Sequence, residues 1–207
     1  MKDKFHITVG RQIGSGGHEI GEKLAGELGI AFYDRELINI AAKQSGLGKE
    51  SFEDAEEKKS FSLLAGFPWF GGNAEEFPVN SYLGNENLFK IQSDVIRDLA
   101  GKESAVFVGR CADYVLSEFP ACLNLFICAD TGDRIRRISE RRSLTESKAL
   151  EYLEKMDKRR AAYYNFYSNK TWGEASSYHL CINSSVFGID QTVELIRHYV
   201  EKRFALK

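Results

Sequence analysis

The sequence predicts an α/β fold in three layers, with a five-stranded parallel β-sheet and helices on both of its faces. Short apolar runs bounded by Gly, Asp or Asn alternate with longer segments of helical period. Most of these runs are apolar throughout, as strands buried on both faces are. A chain of 207 residues is long enough for one domain with a substantial core. We therefore assign residues 1–207 to a single domain.

Five short runs are the predicted strands, and the segments between and after them are the predicted helices. The strands lie at about 5–9 (FHITV), 30–33 (IAFY), 104–108 (SAVFV), 123–128 (LNLFIC) and 179–182 (HLCI). Apolar residues at the spacing of one helix face are Ile20, Leu24, Ala25 and Leu28; Phe89, Val95, Ile96 and Leu99; Ile135 and Ile138; Val193, Ile196 and Val200. These residues are the predicted core faces of the helices.

Two stretches interrupt the alternation. Residues 46–84 are first charge-dense and then rich in aromatics and Gly, and they separate the second and third strands by about 70 residues, far more than a crossover requires. They predict an inserted subdomain or lid. The alternative is a disordered excursion, which the aromatics between Phe61 and Tyr82 disfavour. The second stretch, residues 130–165, is a long and strongly charged helical region.

The composition excludes several classes of function. Lys and Arg number 28 and Asp and Glu 30, so the net charge of -2 gives no global field toward nucleic acid or an anionic membrane. No apolar stretch approaches the roughly 20 residues of a membrane span. The four cysteines lack C-x-x-C spacing, and the residues MKDKFHITVG carry no apolar h-region of the kind expected in a signal peptide. We expect reduced thiols, a cytoplasmic location, and no nucleic-acid or membrane partner.

The segment ITVGRQIGSGGHEIGEKLAGEL joins a buried strand, a Gly-rich turn and an amphipathic helix. Glycines let the backbone approach an oxyanion, and a helix N-terminus offers unpaired N–H groups and the positive end of its dipole. We therefore predict an anion-binding nest at Gly14, Ser15, Gly16 and Gly17, followed directly by the first helical turn at His18, Glu19 and Ile20. The predicted binding residues are Gly14, Ser15, Gly16, Gly17, His18 and Glu19. The alternative is a tight turn that binds nothing.

Neither common phosphate-loop pattern matches this turn. The dinucleotide fingerprint G-x-G-x-x-G finds its first two glycines but meets Glu19 at the third. The Walker A pattern G-x-x-x-x-G-K-[ST], with Gly16 as its second glycine, meets Arg11 at the first glycine. Gly17 then stands at the lysine and His18 at the Ser or Thr.

Four phrases of the chain are informative together: ITVGRQIGSGGHEIGEKLAGELGIAFYDRELI, VFVGRCADYVL, DRIRRISERRSLTESKALEYLEKMDKRRAAYYNFY and HLCINSSVFGID. They resemble the cytidylate kinase-like family, a divergent branch of the P-loop nucleoside monophosphate kinases. The resemblance implies a P-loop kinase fold with an acceptor-binding insertion at 46–84 and an Arg-bearing LID at about 137–160. It implies ATP and Mg²⁺ as cofactors. The implied activity is transfer of the γ-phosphoryl group to a small acceptor, most simply a nucleoside monophosphate such as CMP or dCMP.

The chain departs from true cytidylate kinases, which have G-x-x-G-x-G-K-G-T at the loop, because Gly17 replaces the lysine. Phosphoryl transfer requires positive charge over the β and γ oxygens, so another cation has to take that place. The nearest candidates are Arg11 and His18, and we prefer Arg11 because a guanidinium stays charged and grips phosphate bidentately. The alternative for Arg11 is a surface residue capping the strand end. Glu19 is a candidate to orient Mg²⁺ through water, and no direct metal ligand is assigned.

Two residues at strand ends are candidates for acceptor binding. Arg110 follows the third strand and matches the arginine of a G-R-D phrase that contacts the CMP phosphate in cytidylate kinases, while Cys111 replaces the acid. The alternative for Arg110 is an arginine turned into solvent. Asp34 follows the second strand, and we expect it either to cap the next helix or to contact the acceptor or its bound metal.

The LID candidates are arginines of the charged helical region. Arg137 and Arg141 lie four residues apart and so share a helix face, which suits a closing element that supplies transition-state charge. Arg159 and Arg160 resemble the arginine-bearing helix that follows the LID, and we assign Arg159 to substrate binding and Arg160 to catalysis. The alternative for each is a solvated helix face.

Three classes of function remain open. The first is the phosphotransferase, and the second is a nucleotide-binding sensor or scaffold that kept the fold and lost its chemistry with the lysine. A nucleic-acid-binding role for the basic segment at 134–160 is third, and the balanced charge disfavours it.

Overall fold

The structure is a computed structural model, and it describes residues 4–44 and 80–206. The predicted insertion at 46–84 lies outside the described residues, except that positions 80–84 belong to a helix. Across the described ranges, no helix combines the length and the apolar character needed to cross a membrane.

The five predicted strands form one sheet. They are β1 (His6–Arg11), β2 (Ala31–Tyr33), β3 (Ala105–Val108), β4 (Cys122–Cys128) and β5 (Leu180–Asn183). The order in the sheet is β2-β3-β1-β4-β5, and every neighbouring pair is parallel. The predicted fold class is therefore confirmed. β1 extends two residues beyond its predicted end, because Gly10 and Arg11 continue the pairing with β4.

The described helices lie between and after these strands. They are α1 (Gly17–Leu28), α2 (Arg35–Gln44), α3 (Asn80–Lys102), α4 (Ala112–Val115), α5 (Thr131–Arg142), α6 (Glu146–Ser168) and α7 (Gly188–Arg203), with a 3-10 turn at Ala175–Ser177. The charged helical region predicted at 130–165 consists of two helices, α5 and α6. Ser143 in the left-handed region ends α5, and the Thr145 hydroxyl accepts from the Lys148 amide to begin α6.

Helices cover both faces of the sheet. On one face Leu24 of α1 and Ile196 of α7 pack with Ile7 of β1, and all three are fully buried. On the other face Ile96 of α3 packs in a second cluster with Phe107 of β3. Each side chain of this size contributes roughly 1.5–3 kcal/mol when it is buried. This double coverage explains why the strands are apolar throughout.

The parallel sheet determines where a site can form. All five strands end at the same edge, and ligands bind at that edge in open α/β sheets. The segments that follow β1, β2 and β3 and lead into α1, α2 and α4 meet there. These segments carry the predicted phosphate loop, Asp34 and Arg110.

Candidate functional site

The phosphate loop, residues 12–16, turns the chain from β1 into α1. Gly14 (φ 74°) and Gly16 (φ 78°) lie in the left-handed region, which glycine adopts without steric cost. Gly16 is the N-cap, so α1 begins at Gly17, one residue before the predicted first turn. A Cβ at Gly14 would lie 2.9 Å from the carbonyl oxygen of Arg134 in α5. The loop therefore needs glycine for its turn and for its contact with α5.

Four backbone N–H groups of this turn donate no hydrogen bond to any residue in the described part of the chain. They belong to Gly14, Gly16, His18 and Glu19. Amides at a helix start are free to bind an anion, and the helix dipole favours negative charge there. The turn is therefore suited to bind a polyphosphate, as the predicted anion-binding nest requires.

Arg11 ends β1, and its side chain runs from the phosphate loop toward the segment after β3. Its Cβ lies 2.6 Å from the position that a Cβ at Gly17 would take. At the other end, its guanidinium lies where a Cβ at Gly109 would stand. Both glycines make room for this one side chain. Arg11 is thus not a surface residue that caps the strand.

An arginine-lined cavity of about 60 Å³ lies at the carboxyl ends of β1 and β3. Its cationic residues are Arg11, Arg35, Arg110 and Arg160. Burial holds the pKa of Arg11 well below its usual range, and the charges of Arg160 and Arg110 lower it further. Burial also lowers the pKa of Arg160 to about 10. Because these cations repel one another in a poorly solvated space, the cavity is suited to an anion.

Arg110 reaches this cavity from a strained backbone. Gly109, Arg110 and Cys111 are three consecutive residues in the left-handed region, with φ angles of 82°, 57° and 53°. A non-glycine residue pays about 1–2 kcal/mol to adopt it, and such strain concentrates at functional sites. The guanidinium carbon of Arg110 lies 5.6 Å from the centroid of the Tyr163 ring on α6. Arg110 is therefore turned into the molecule and not into solvent.

Asp113 adds a carboxyl group to the lining of the cavity. It is buried in α4 and accepts a 2.7 Å hydrogen bond from the Tyr164 hydroxyl. Burial raises the pKa of Asp113, and the hydrogen bond from Tyr164 partly opposes that shift. The G-R-D resemblance finds Cys111 where the acid is expected, and the structure offers a carboxyl group two residues later.

Asp34 and His18 contact each other beside the phosphate loop, with 3.0 Å between Asp34 Oδ2 and His18 Nε2. The Leu37 amide also donates to Asp34 Oδ1 at 3.0 Å, so the predicted capping role is confirmed. Contact between Asp34 and an acceptor stays a prediction. The Glu19 carboxylate pairs with Lys23 at 2.9 Å on the exposed side of α1.

Two of the predicted LID arginines contact the phosphate loop and its entry. Arg137 of α5 donates to the carbonyl oxygen of Gly14 at 3.1 Å. Arg160 of α6 donates to the carbonyl oxygen of Arg11 at 2.6 Å. The α5–α6 helix pair is therefore fastened to the loop by charged side chains.

Arg141 and Arg159 lie elsewhere. Arg141 is exposed in the last turn of α5, and none of its contacts within the described ranges reaches the loop. Arg159 is half-buried on α6, and it is not among the described residues that line the cavity. Their assigned roles in catalysis and substrate binding stay predictions.

The sequence interpretation missed four residues of this site. Arg35 and Asp113 line the cavity, and Arg134 and Asp157 form a buried ion pair against the loop. Helical spacing offered a signal for two of them. Arg134 precedes Arg137 by three residues and Asp157 precedes Arg160 by three, so each shares a helix face with a predicted site residue.

Comparison with known proteins supports the family resemblance seen in the sequence. The chain matches the cytidylate kinase-like family over residues 6–186. It is similar to an uncharacterized protein from Eubacterium ventriosum ATCC 27560 of known crystal structure, with 30% identity and a TM-score of 0.73. That match covers 96% of this chain and 99% of the other. A comparison with curated proteins finds no match.

Two shikimate kinases of known structure resemble the chain at lower identity. The Bacteroides thetaiotaomicron enzyme is 13% identical with a TM-score of 0.53, and the match covers 95% of this chain and 98% of the other. The Acinetobacter baumannii enzyme, in complex with shikimate, is 16% identical with a TM-score of 0.51 and coverage of 100% and 97%. At these identities the likeness shows the P-loop kinase fold alone. The family match over most of the length shows that the chain belongs to the cytidylate kinase-like family.

Proposed function

We propose that the protein is an ATP-dependent phosphotransferase that moves the γ-phosphoryl group of Mg-ATP to a small anionic acceptor. The first candidates for the acceptor are nucleoside monophosphates such as CMP or dCMP. Membership in a kinase-like family supports nucleotide-dependent transfer. The observation that carries the proposal is the course of Arg11, whose side chain links the phosphate loop to the arginine-lined cavity.

The donor side would be held by the phosphate loop. The amides of Gly14, Gly16 and His18, which donate no hydrogen bond within the described ranges, would bind phosphate oxygens, and Arg11 would supply the charge of the absent lysine. Mg-ATP supplies the transferable phosphoryl group when it is bound. Among the described residues there is no cluster of three or more side chains that could hold a metal ion. The phosphates of ATP would therefore supply much of the Mg²⁺ coordination.

The acceptor side would be held by the arginine-lined cavity. Arg110 and Arg160 both line this cavity at the carboxyl end of the sheet, so Arg110 would bind an anionic group of the acceptor and Arg160, assigned to catalysis, would also contact it. The cavity is small, at about 60 Å³, so we expect it to take the anionic group of the acceptor. The rest of the acceptor would lie outside it.

A panel assay tests the proposal. The protein is incubated with Mg-ATP and each nucleoside monophosphate in turn, and ADP and the phosphorylated product are separated by chromatography. We expect product with at least one monophosphate and none with the Arg110→Ala variant. Failure of every monophosphate would contradict the proposed acceptor class.

The second candidate function is a nucleotide sensor or scaffold. Gly17 at the lysine position and the engagement of Arg137 with the Gly14 carbonyl favour it, because both leave fewer cations for transfer. A thermal-shift titration with Mg-ATP separates the two functions, since a ligand that binds only the native state raises its apparent stability. Stabilisation by ATP without product across the panel would support the sensor.

A further inference from the structure

The carbonyl groups of the phosphate loop follow a pattern that the proposed function does not use. Five consecutive carbonyl oxygens, from Arg11 to Ser15, each accept a hydrogen bond from a side chain. The donors, in chain order of the acceptors, are Arg160 at 2.6 Å, Ser15 at 2.9 Å, Arg134 at 2.8 Å, Arg137 at 3.1 Å and Ser184 at 2.7 Å. Three of the donors are arginines of the α5–α6 pair. Side chains from outside the loop therefore set the direction of most of its peptide groups.

A held carbonyl also determines where the next amide points. The peptide unit is planar and trans, so its C=O and N–H groups point in opposite directions. The carbonyl held by Arg134 is that of Ile13, and its peptide partner is the N–H of Gly14. The carbonyl held by Ser184 is that of Ser15, and its partner is the N–H of Gly16. These are two of the amides without a hydrogen bond within the described residues.

Asp157 of α6 completes the arrangement around Ile13. One of its carboxylate oxygens accepts a 2.9 Å hydrogen bond from the Ile13 N–H, and the other pairs with the Arg134 guanidinium. The same guanidinium donates through Nε to the Ile13 carbonyl. Both backbone groups of Ile13 are thus held by one ion pair. The Arg134 side chain is only 10% exposed and that of Asp157 only 16%, so solvent screens the ion pair weakly.

We propose that Asp157 and Arg134 are positioning residues for polyphosphate binding. They hold the peptide between Ile13 and Gly14 so that the Gly14 amide is presented to the anion, in a loop that lacks the usual lysine. The inference rests on the proposed function for the identity of its ligand. It adds to that function the residues that preorganise the loop.

A purely architectural role for the pair makes a different prediction. If the pair only docks α6 against the sheet, its loss lowers stability and leaves the affinity of the folded protein for anions unchanged. If it positions the loop, its loss lowers anion affinity even under conditions where the variant is fully folded. The test therefore measures anion affinity and thermal stability on the same samples.

The probe is sodium tripolyphosphate, which reports on the loop without a nucleobase. Its dissociation constant is measured by calorimetry for the wild type, Asp157→Asn and the control Asp98→Asn. Asp98 forms an exposed i,i+4 pair with Lys102 at the far end of α3, so the control removes one carboxylate without touching the loop. We expect on the order of tenfold weaker binding for Asp157→Asn, the effect of losing about one net hydrogen bond, and no change for Asp98→Asn.

Hydrogen exchange gives a second readout. In the wild type, tripolyphosphate is expected to protect amides of residues 12–19, and in Asp157→Asn this protection is expected to be weaker. If Asp157→Asn does not fold, Arg134→Lys replaces it, because lysine keeps a cation beside Asp157 and lacks the Nε donor to Ile13. The same loss of affinity is expected.

The outcomes separate this inference from the proposed function. A folded variant that binds tripolyphosphate within twofold of the wild type overturns the positioning role, whatever its turnover. A wild type that binds no tripolyphosphate overturns it too. Weaker binding confined to the loop variants supports it. A wild type that binds tripolyphosphate and transfers no phosphoryl group contradicts the proposed activity and leaves the positioning role standing.

Discussion

The Cβ atom of Arg11 lies 2.6 Å from the position that a Cβ of Gly17 would occupy. Real Cβ atoms do not approach so closely, so no side chain fits at position 17 while Arg11 keeps its place. Gly17 stands where a Walker A loop has lysine. The Arg11 side chain thus occupies the space that a side chain at position 17 would need.

The first prediction compares two glycines of α1. Gly→Ala in a helix ordinarily stabilises by roughly 0.5–1 kcal/mol, and Gly26→Ala is expected to do so because a Cβ there meets nothing within 4 Å. Gly17→Ala is expected to destabilise by about 1–3 kcal/mol, since its Cβ overlaps Arg11. Urea unfolding of both variants measures the free energies.

A third variant controls for the cause. Arg11→Gly removes the overlapping side chain but leaves Ile127, whose Cβ lies 3.2 Å from the same position, so adding Gly17→Ala to the Arg11→Gly variant is expected to cost less stability than it does in the wild type. Equal stabilisation by the Gly17→Ala and Gly26→Ala changes in the wild-type background would show that the two side chains do not compete for space.

The second prediction concerns Arg11 and ATP. Arg11→Ala is expected to weaken Mg-ATP binding by a factor of ten or more, because a hydrogen bond to a charged group is worth about 1.5–3 kcal/mol. Stability is not expected to fall with it, since burial and the charges of Arg160 and Arg110 already disfavour the Arg11 cation. Calorimetric titration gives the affinity. Arg97→Ala, which breaks an exposed ion pair on α3, is the matched control. Equal affinity of Arg11→Ala and the wild type for Mg-ATP would contradict the hypothesis that Arg11 replaces the lysine.

Local patterns explain which parts of the structure the sequence predicts well. The strands can be predicted because a strand buried on both faces is an apolar run. The turn at Gly14 and Gly16 can be predicted because few residues other than glycine adopt its left-handed backbone conformation. The contacts that hold the loop cannot. Helical spacing places Arg134 and Asp157 on the same helix faces as predicted site residues, but it does not show that they bond to the backbone of Ile13, 121 and 144 residues away along the chain.

The third prediction separates the two roles of position 110. Arg110→Ala and Arg110→Gly both remove the guanidinium from the cavity, and both are expected to abolish transfer while ATP affinity changes little. Their stabilities are expected to differ. Glycine accepts the left-handed φ of 57° without cost, so Arg110→Gly should be more stable than Arg110→Ala by about 1 kcal/mol.

Turnover assays, ATP titration and thermal unfolding of the two variants give all three quantities. Unaltered turnover in either variant would remove Arg110 from the acceptor site. Equal stability of the two would show that the backbone at position 110 relaxes once the arginine is gone.

The last prediction is a pH dependence that arises at Asp113. Burial raises the pKa of this carboxyl group above its ordinary value near 4. Between about pH 4 and the raised value, the native state binds more protons than the unfolded state, so Asp113 makes stability fall as pH rises through that window. The loss amounts to about 1.4 kcal/mol for each unit by which the pKa is raised.

Asp113→Asn keeps an oxygen acceptor for the Tyr164 hydroxyl and removes the titration. The wild type is therefore expected to lose stability relative to Asp113→Asn as pH rises from about 4, while the difference between the two proteins stays constant at lower pH. Unfolding free energies measured across the pH range for both proteins, with Asp98→Asn as an exposed carboxylate control, test the sign. A difference that does not vary with pH, or one that favours the wild type as pH rises, would mean that the Asp113 carboxylate is stabilised as an anion inside the cavity. In that case a carboxylate lining the cavity would oppose the binding of an anionic acceptor there.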